Sequence, residues 1–275
     1  MVRLQCLQVA WALPRLARAL IGLCFSLGAC SALGNDKNMA RAAEPSAGPA
    51  GSAGKPLIDF SIWQLQLPTG SGANPDTVSP QDLPAYSSAY FKRADDGGYV
   101  LMDPKTGITT SGSQHPRTEL REGNATGGLA AWASSGTNTL TVSGKVMLMS
   151  GGAQGSTTVA QVFVSGSNTL LELQYNGSQF KAFYEESKGN PEPTVTLGGT
   201  YPLNTKYTFI VAYSANVLTV NINGKVLYTK LPSSAVSGKR FYFKVGNYDQ
   251  TADPGTPSTT PYTQLEEYKI DVVHS

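Results

Sequence analysis

Beyond its first few dozen residues the chain alternates apolar and polar positions at period two, in short runs separated by Gly, Asn, Pro and Ser. Successive side chains of a β-strand point to opposite faces, so such runs predict half-buried strands. They fall at Thr139 to Met149, Thr158 to Val164, Leu170 to Tyr175, Gln179 to Tyr184 and Tyr207 to Tyr213. Further runs fall at Val217 to Ile222, Lys225 to Tyr228, Arg240 to Gly246 and Leu265 to Val273. Asn223-Gly224 lies between two runs and Asn176-Gly177 between two others, each predicting a hairpin turn. Helical periodicity is nearly absent, with one short helix expected around Pro80-Gln81-Asp82-Leu83. Many short strands at this spacing predict an all-β fold, a sandwich or jelly roll.

The N-terminus reads differently. Arg3, Arg15 and Arg18 precede the apolar run Ala19 to Leu27, which is too short to span a bilayer and reads as an export signal. Leu27-Gly28-Ala29-Cys30 resembles a bacterial lipobox, which would leave a lipid anchor on Cys30; an ordinary signal peptide cut near Ala40 or Ala43 is the alternative. Residues 1–30 are therefore expected to be a signal peptide of lipoprotein type, and 31–54, rich in Ala, Gly, Ser and Pro, a flexible linker. Residues 55–275 make one domain of about 220 residues. The protein is expected to be exported, as an outer-membrane lipoprotein or in periplasmic or secreted form, with any membrane contact through Cys30 alone.

Composition narrows the function. Cys6, Cys24 and Cys30 are the only cysteines, so the domain has no disulfide and rests on its core. Setting aside the three leader arginines leaves 18 basic against 19 acidic residues, so no bulk positive charge draws the chain to nucleic acid. Recognition of an anion must come from a local cluster.

Two stretches supply one. In His115-Pro116-Arg117-Thr118-Glu119-Leu120-Arg121-Glu122, strand geometry would put His115, Arg117, Glu119 and Arg121 on one face. The two guanidiniums, roughly 13 Å apart by strand rise, match two or three sugar residues, with Glu119 fixing their rotamers. A solvated salt-bridge ladder is the plainer reading. In Tyr242 to Gln250, the residues Tyr242, Lys244, Tyr248 and Gln250 share a face opposite the apolar Phe241, Phe243 and Val245. Gly246 would open space for a close approach. A cation beside Tyr248 would lower its pKa and ease proton exchange; a half-buried surface aromatic is the plainer reading. A third run, Val159, Gln161 and Phe163, would share a face, with Ala160, Val162 and Val164 on the core.

These blocks carry a resemblance to the alginate lyases of polysaccharide lyase family 7. Trp63-Gln64-Leu65-Gln66-Leu67-Pro68 resembles the family's opening strand, and Arg117 to Arg121 its R-(T/S)-E-(L/V)-R block. Gln161-Val162 begins its Q-(I/V)-H block, and Tyr242 to Gln250 matches its Y-F-K-x-G-x-Y-x-Q block. The resemblance spans roughly residues 57–273. It implies a concanavalin-like β-jelly roll whose concave groove holds an acidic polysaccharide, alginate or a related polyuronate. Cleavage would be by β-elimination, leaving 4,5-unsaturated ends, in a monomer with neither metal nor cofactor. It further implies that Arg117 and Gln161 neutralise the uronate carboxylate and that Tyr248 transfers protons. Arg121, Lys244 and Gln250 would bind neighbouring sugars or position the others; Glu119, Tyr242 and Phe163 complete the expected binding residues.

One position departs: Phe163 stands where the family has a histidine. Only His115 and His274 exist in the chain. Three readings follow. Tyr248 serves as base and acid, which suits syn elimination on D-mannuronate or D-glucuronate; His115 contributes; or the domain has changed substrate, glucuronan included, or only binds. A jelly-roll glycoside hydrolase is disfavoured, because Glu119 and Glu122 would fall on opposite strand faces. Asp95-Asp96-Gly97-Gly98 and Asp249 are acidic, but no ligand spacing compels a calcium site.

Overall fold

The computed structural model describes residues 57–124, 126–152 and 155–275. The expected export signal, Cys30 and the 31–54 linker lie outside these residues. The described chain is built almost wholly of strands. In chain order they are β1 (Trp63–Ser71), β2 (Asn74–Val78), β3 (Phe91–Arg93), β4 (Tyr99–Pro104), β5 (Thr106–Gly107) and β6 (Thr118–Glu122). There follow β7 (Asn138–Leu148), β8 (Thr157–Val164), β9 (Thr169–Tyr175), β10 (Phe180–Tyr184), β11 (Val195–Thr196) and β12 (Tyr207–Ser214). The last are β13 (Val217–Ile222), β14 (Lys225–Lys230), β15 (Phe241–Asp249), β16 (Asp253–Pro254) and β17 (Tyr262–His274).

Two antiparallel sheets stack as a jelly-roll sandwich. One has eight strands in the order β11-β10-β9-β8-β15-β6-β1-β2, the other seven in the order β14-β13-β12-β7-β17-β4-β3. A small parallel pair, β5 with β16, lies apart. The alternation explains the packing. Leu65, Leu120, Val162, Phe243 and Val245 of the first sheet meet Val142, Phe209, Val211 and Leu265 of the second in one core. At about 25 cal/mol per Å² of apolar surface, burial on this scale supplies the stability that no disulfide provides.

One expected turn forms as read, and the structure departs from the expected elements in four other places. Asn223 and Gly224 both take positive φ, 50° and 86°, and close the predicted two-residue hairpin. Asn176-Gly177 instead belongs to a four-residue connection, in which the Asn176 side chain accepts from the Ser178 and Gln179 N–H groups. The expected helix near Pro80 is a single 3-10 turn, Leu83–Ala85. The row drawn from His115 begins as a strand only at Thr118, because Pro116 has no N–H to give a central strand. Finally, β8 bulges at Val159, where the register against both β9 and β15 shifts. Val159 and Ala160 both enter the core. Thr158, not Val159, therefore shares the face of Gln161 and Phe163.

Candidate active site

The site lies across the middle of the eight-stranded sheet. Side-by-side pairing sets Gln64, Arg121, Lys244, Gln161 and Glu172 in one line over β1, β6, β15, β8 and β9. Glu119 pairs with Gly246 one step along, and Tyr242 with Phe163. Gly246 has φ +146°, and a Cβ there would lie 2.6 Å from the Thr118 carbonyl oxygen and 2.9 Å from Glu119 Cα. The close approach that this glycine permits is thus the backbone of β6, and what was expected to be free space is filled.

Glu119 is the hub. Its carboxylate accepts from Arg117 Nη1 at 3.2 Å and from Gln161 Nε2 in a short bond, with Lys244 Nζ at 3.9 Å. Gln161 also takes the Thr169 hydroxyl at 2.8 Å, which orients its amide. Arg117 is 6% exposed. Burial opposes its charge, yet Glu119, Tyr248 and Glu172 together hold its pKa above the ordinary value. Its Cζ lies 3.6 Å from the Tyr248 ring centroid, and its Nη2 donates to Ser113 Oγ at 2.5 Å. Ser113 Oγ in turn donates to the His115 carbonyl and lies 3.0 Å from the Tyr248 hydroxyl. Arg121 Nη2 reaches the Tyr242 hydroxyl at 3.4 Å.

Two adjoining cavities, of about 190 and 330 Å³, make one groove above these residues. The first is lined by Arg117, Gln161, Phe163 and Tyr248, with Glu172 and Glu185. The second is lined by Arg117, Arg121, Phe163, Tyr242 and Lys244; Gly112, Ser113, Ser167 and Lys188 border both. One stretch of the groove is therefore basic and the next carries carboxylates. A larger cavity of about 530 Å³ lies elsewhere, around Glu122, Trp63, Trp132 and His274. It holds none of the groove's cations, and the chemistry points to the smaller pair.

Several expectations need correction. Arg117, Glu119, Arg121, Gln161, Phe163, Tyr242, Lys244 and Tyr248 come together, but His115 does not join their row. It sits in the loop before β6, its Nδ1 at 2.5 Å from the Ala252 carbonyl, and lines neither cavity. Its ring centroid is 6.0 Å from that of Tyr248. Gln250 lies just past β15, tying Thr158 Oγ1 to the Tyr248 carbonyl, and also lines neither cavity. The expected fall in the Tyr248 pKa is reversed: burial raises it, and the opposing pull of Arg117 and Ser113 does not restore it. Sequence reasoning missed Ser113, Glu172 and Lys188. Only Glu172 had a signal, the polar alternation of Glu172 and Gln174 along β9.

A family model described as Alginate lyase matches residues 58–274. The chain belongs to the alginate lyase family. It is a polysaccharide lyase with the family 7 jelly roll. Alginate lyase A1-II′, a member of polysaccharide lyase family 7, is similar at 28% identity and a TM-score of 0.70, over 80% of this chain and 97% of that one. An alginate lyase from Corynebacterium sp. is similar at 25% identity and a TM-score of 0.67, over 80% and 96%. One from Pseudomonas aeruginosa shares the fold at 24% identity and a TM-score of 0.70, over 79% and 100%. No curated protein matches this lyase.

Proposed function

We propose that this lyase cleaves 1,4-linked polyuronates by β-elimination, with mannuronate-type alginate linkages preferred. The observation that carries the proposal is the convergence of Arg117, Gln161 and Tyr248 on one cavity. Removing the proton from C5 of a uronate places negative charge on its carboxylate. A guanidinium and an amide already held in place stabilise that charge without reorganising, an effect worth about 10²–10³ in rate per donor. Tyr248, which keeps its proton under the raised pKa, supplies the acid for the leaving O4. Arg121 and Lys188 would hold neighbouring carboxylates. A1-II′ has been solved with a product, GGG, and with a substrate, GGMG, which supports an oligo-uronate in the same groove here.

The mannuronate preference rests on placement. Lys244 and Tyr248 lie on one strand and one face, so proton transfers from the groove floor reach the sugar from one side. That suits syn loss of H5 and O4 in D-mannuronate, and equally in D-glucuronate, which makes glucuronan the second substrate to test. The experiment follows ultraviolet absorbance of the new C4=C5 bond on polymannuronate, polyguluronate and glucuronan. Faster turnover of polymannuronate than of polyguluronate is expected; the reverse order would end the syn argument. Tyr248→Phe should abolish double-bond formation while polymer binding persists, and an active variant would remove the phenol from the mechanism.

A further inference from the structure

Elimination needs a base for C5 as well as an acid for O4, and the groove's geometry separates the candidates. Tyr248, buried and with its pKa raised, keeps its phenolic proton, and its hydroxyl lies 3.0 Å from Ser113 Oγ. His115 lines neither cavity. Lys244 lines the groove, is 4% exposed, and holds its Nζ 3.7 Å from the Phe163 ring centroid and 5.8 Å from that of Tyr242. Its nearest carboxylate oxygen, on Glu119, is 3.9 Å away, beyond hydrogen-bond length. Its partner across β8 is Gln161, the amide assigned to the carboxylate on C5. A uronate carboxylate held by Gln161 and Arg117 would put C5 on the side of the groove that Lys244 lines.

We propose that Lys244, as the free amine, accepts the C5 proton while Tyr248 protonates O4. The proposal rests on the elimination reading above. The lysine lone pair takes H5, and the C5–H electrons become the C4=C5 π bond. The C4–O4 bond breaks with its pair on oxygen, and that oxygen takes the phenolic proton of Tyr248. Water then carries one proton from the ammonium to the phenolate, restoring both groups with no net proton consumed.

The surroundings favour the amine. Burial pushes the Lys244 pKa down to about 7; Glu119 and Glu172 resist, and Arg117 and Arg121 add to the fall. Facing groups are Glu119, Arg117 and Arg121 from β6 and its lead-in, Tyr242 from β15 and Glu172 from β9. Gln161 and Phe163 of β8 do not titrate, and Lys188 lines the same cavity. Phe163 thus gives the amine a dry wall that carries no proton of its own.

The test is the pH dependence of kcat on polymannuronate for the full chain and for Lys244→Arg. A base must be unprotonated, so kcat should rise with pH through about 7. Lys244→Arg, which keeps a permanent cation, should lose about 100-fold in kcat, lose that acid limb, and change KM less than about threefold. If Lys244 were only a cation for substrate, activity would fall over the same pH range and the arginine variant would keep most of it; either result overturns the proposal. Independently, NMR titration of the labelled lysine side chain, assigned by its absence from Lys244→Arg, should show a midpoint near 7. A midpoint in the ordinary lysine range overturns the proposal whatever the activity of the variant. Absence of any double bond from the wild-type chain defeats the elimination reading and the proposal together, whereas active wild type with equally active Lys244→Arg defeats the proposal alone.

Discussion

Glu119 and Glu122 stand three residues apart on one short strand, both almost fully buried, and do opposite work. Glu119 looks into the groove, and its donors are side chains: Arg117, Gln161 and, more distantly, Lys244. Glu122 faces the other way. It accepts the backbone N–H of Phe243 at 2.7 Å and the indole N–H of Trp132 at 2.9 Å, and lies 2.5 Å from His274 Nε2. His274 reaches on to Asn138, whose amide ties two backbone carbonyls. One carboxylate organises groups that line the groove, and the other pins β6, β15 and the end of β17 together. The difference lies in the donors: side chains lining a groove can turn to solvent, whereas a strand N–H cannot.

Replacing Gly246 by alanine should have the largest effect, because the new Cβ strikes the β6 backbone at Thr118 and Glu119 in a conformation that L residues rarely adopt. A loss of more than about 3 kcal/mol is expected in urea denaturation, with activity lost alongside. A stable, active Gly246→Ala would mean that the two regions are not joined through this contact. Matched amide substitutions then separate them. Glu119→Gln should lower kcat about 100-fold through misplaced Arg117 and Gln161, with little change in the denaturation midpoint. Glu122→Gln should cost about 1–3 kcal/mol of stability and leave kcat nearly unchanged at low temperature. An exchange of these outcomes would invert the comparison.

A third acid sharpens it at smaller scale. Glu267 is fully buried in β17 and neither of its carboxylate oxygens has a hydrogen-bond partner. Burial raises its pKa well above the usual carboxylate value, so its neutral form belongs to the folded state. Stability is then greatest below the unfolded carboxylate pKa and falls as pH rises toward the folded one, by at most about 1.4 kcal/mol per pH unit. Glu267→Gln should flatten that slope in pH-dependent denaturation. A slope unchanged in the variant would show that another group carries it.

The strands, the hairpin at Asn223-Gly224 and the polar rows of β6 and β15 were legible because alternation is a local property of the chain. Pro116 carried a readable warning, since a proline rarely sits in a central strand, and it is where the His115 row failed. The bulge at Val159 had no such marker: valine suits either face, and the extra residue shows only against β9. The protonation of Tyr248 was also out of reach. Neighbouring cations in sequence suggested a lowered pKa, but burial among Ser113, Arg117 and Glu172 depends on segments far apart in the chain.

The irregularity at Val159 also governs how this groove could be altered. Side chains on β8 are addressed by counting residues outward from that point, and every strand position has only two orientations. Exchanging one groove residue for another, as at Phe163, leaves the count intact and changes chemistry alone. Deleting a single residue before Gln161 would send its amide toward the interior and bring Val162 out to meet the sugar. The architecture therefore accepts new letters far more readily than a change in spacing, and libraries built to retune this lyase should vary identity while holding length constant.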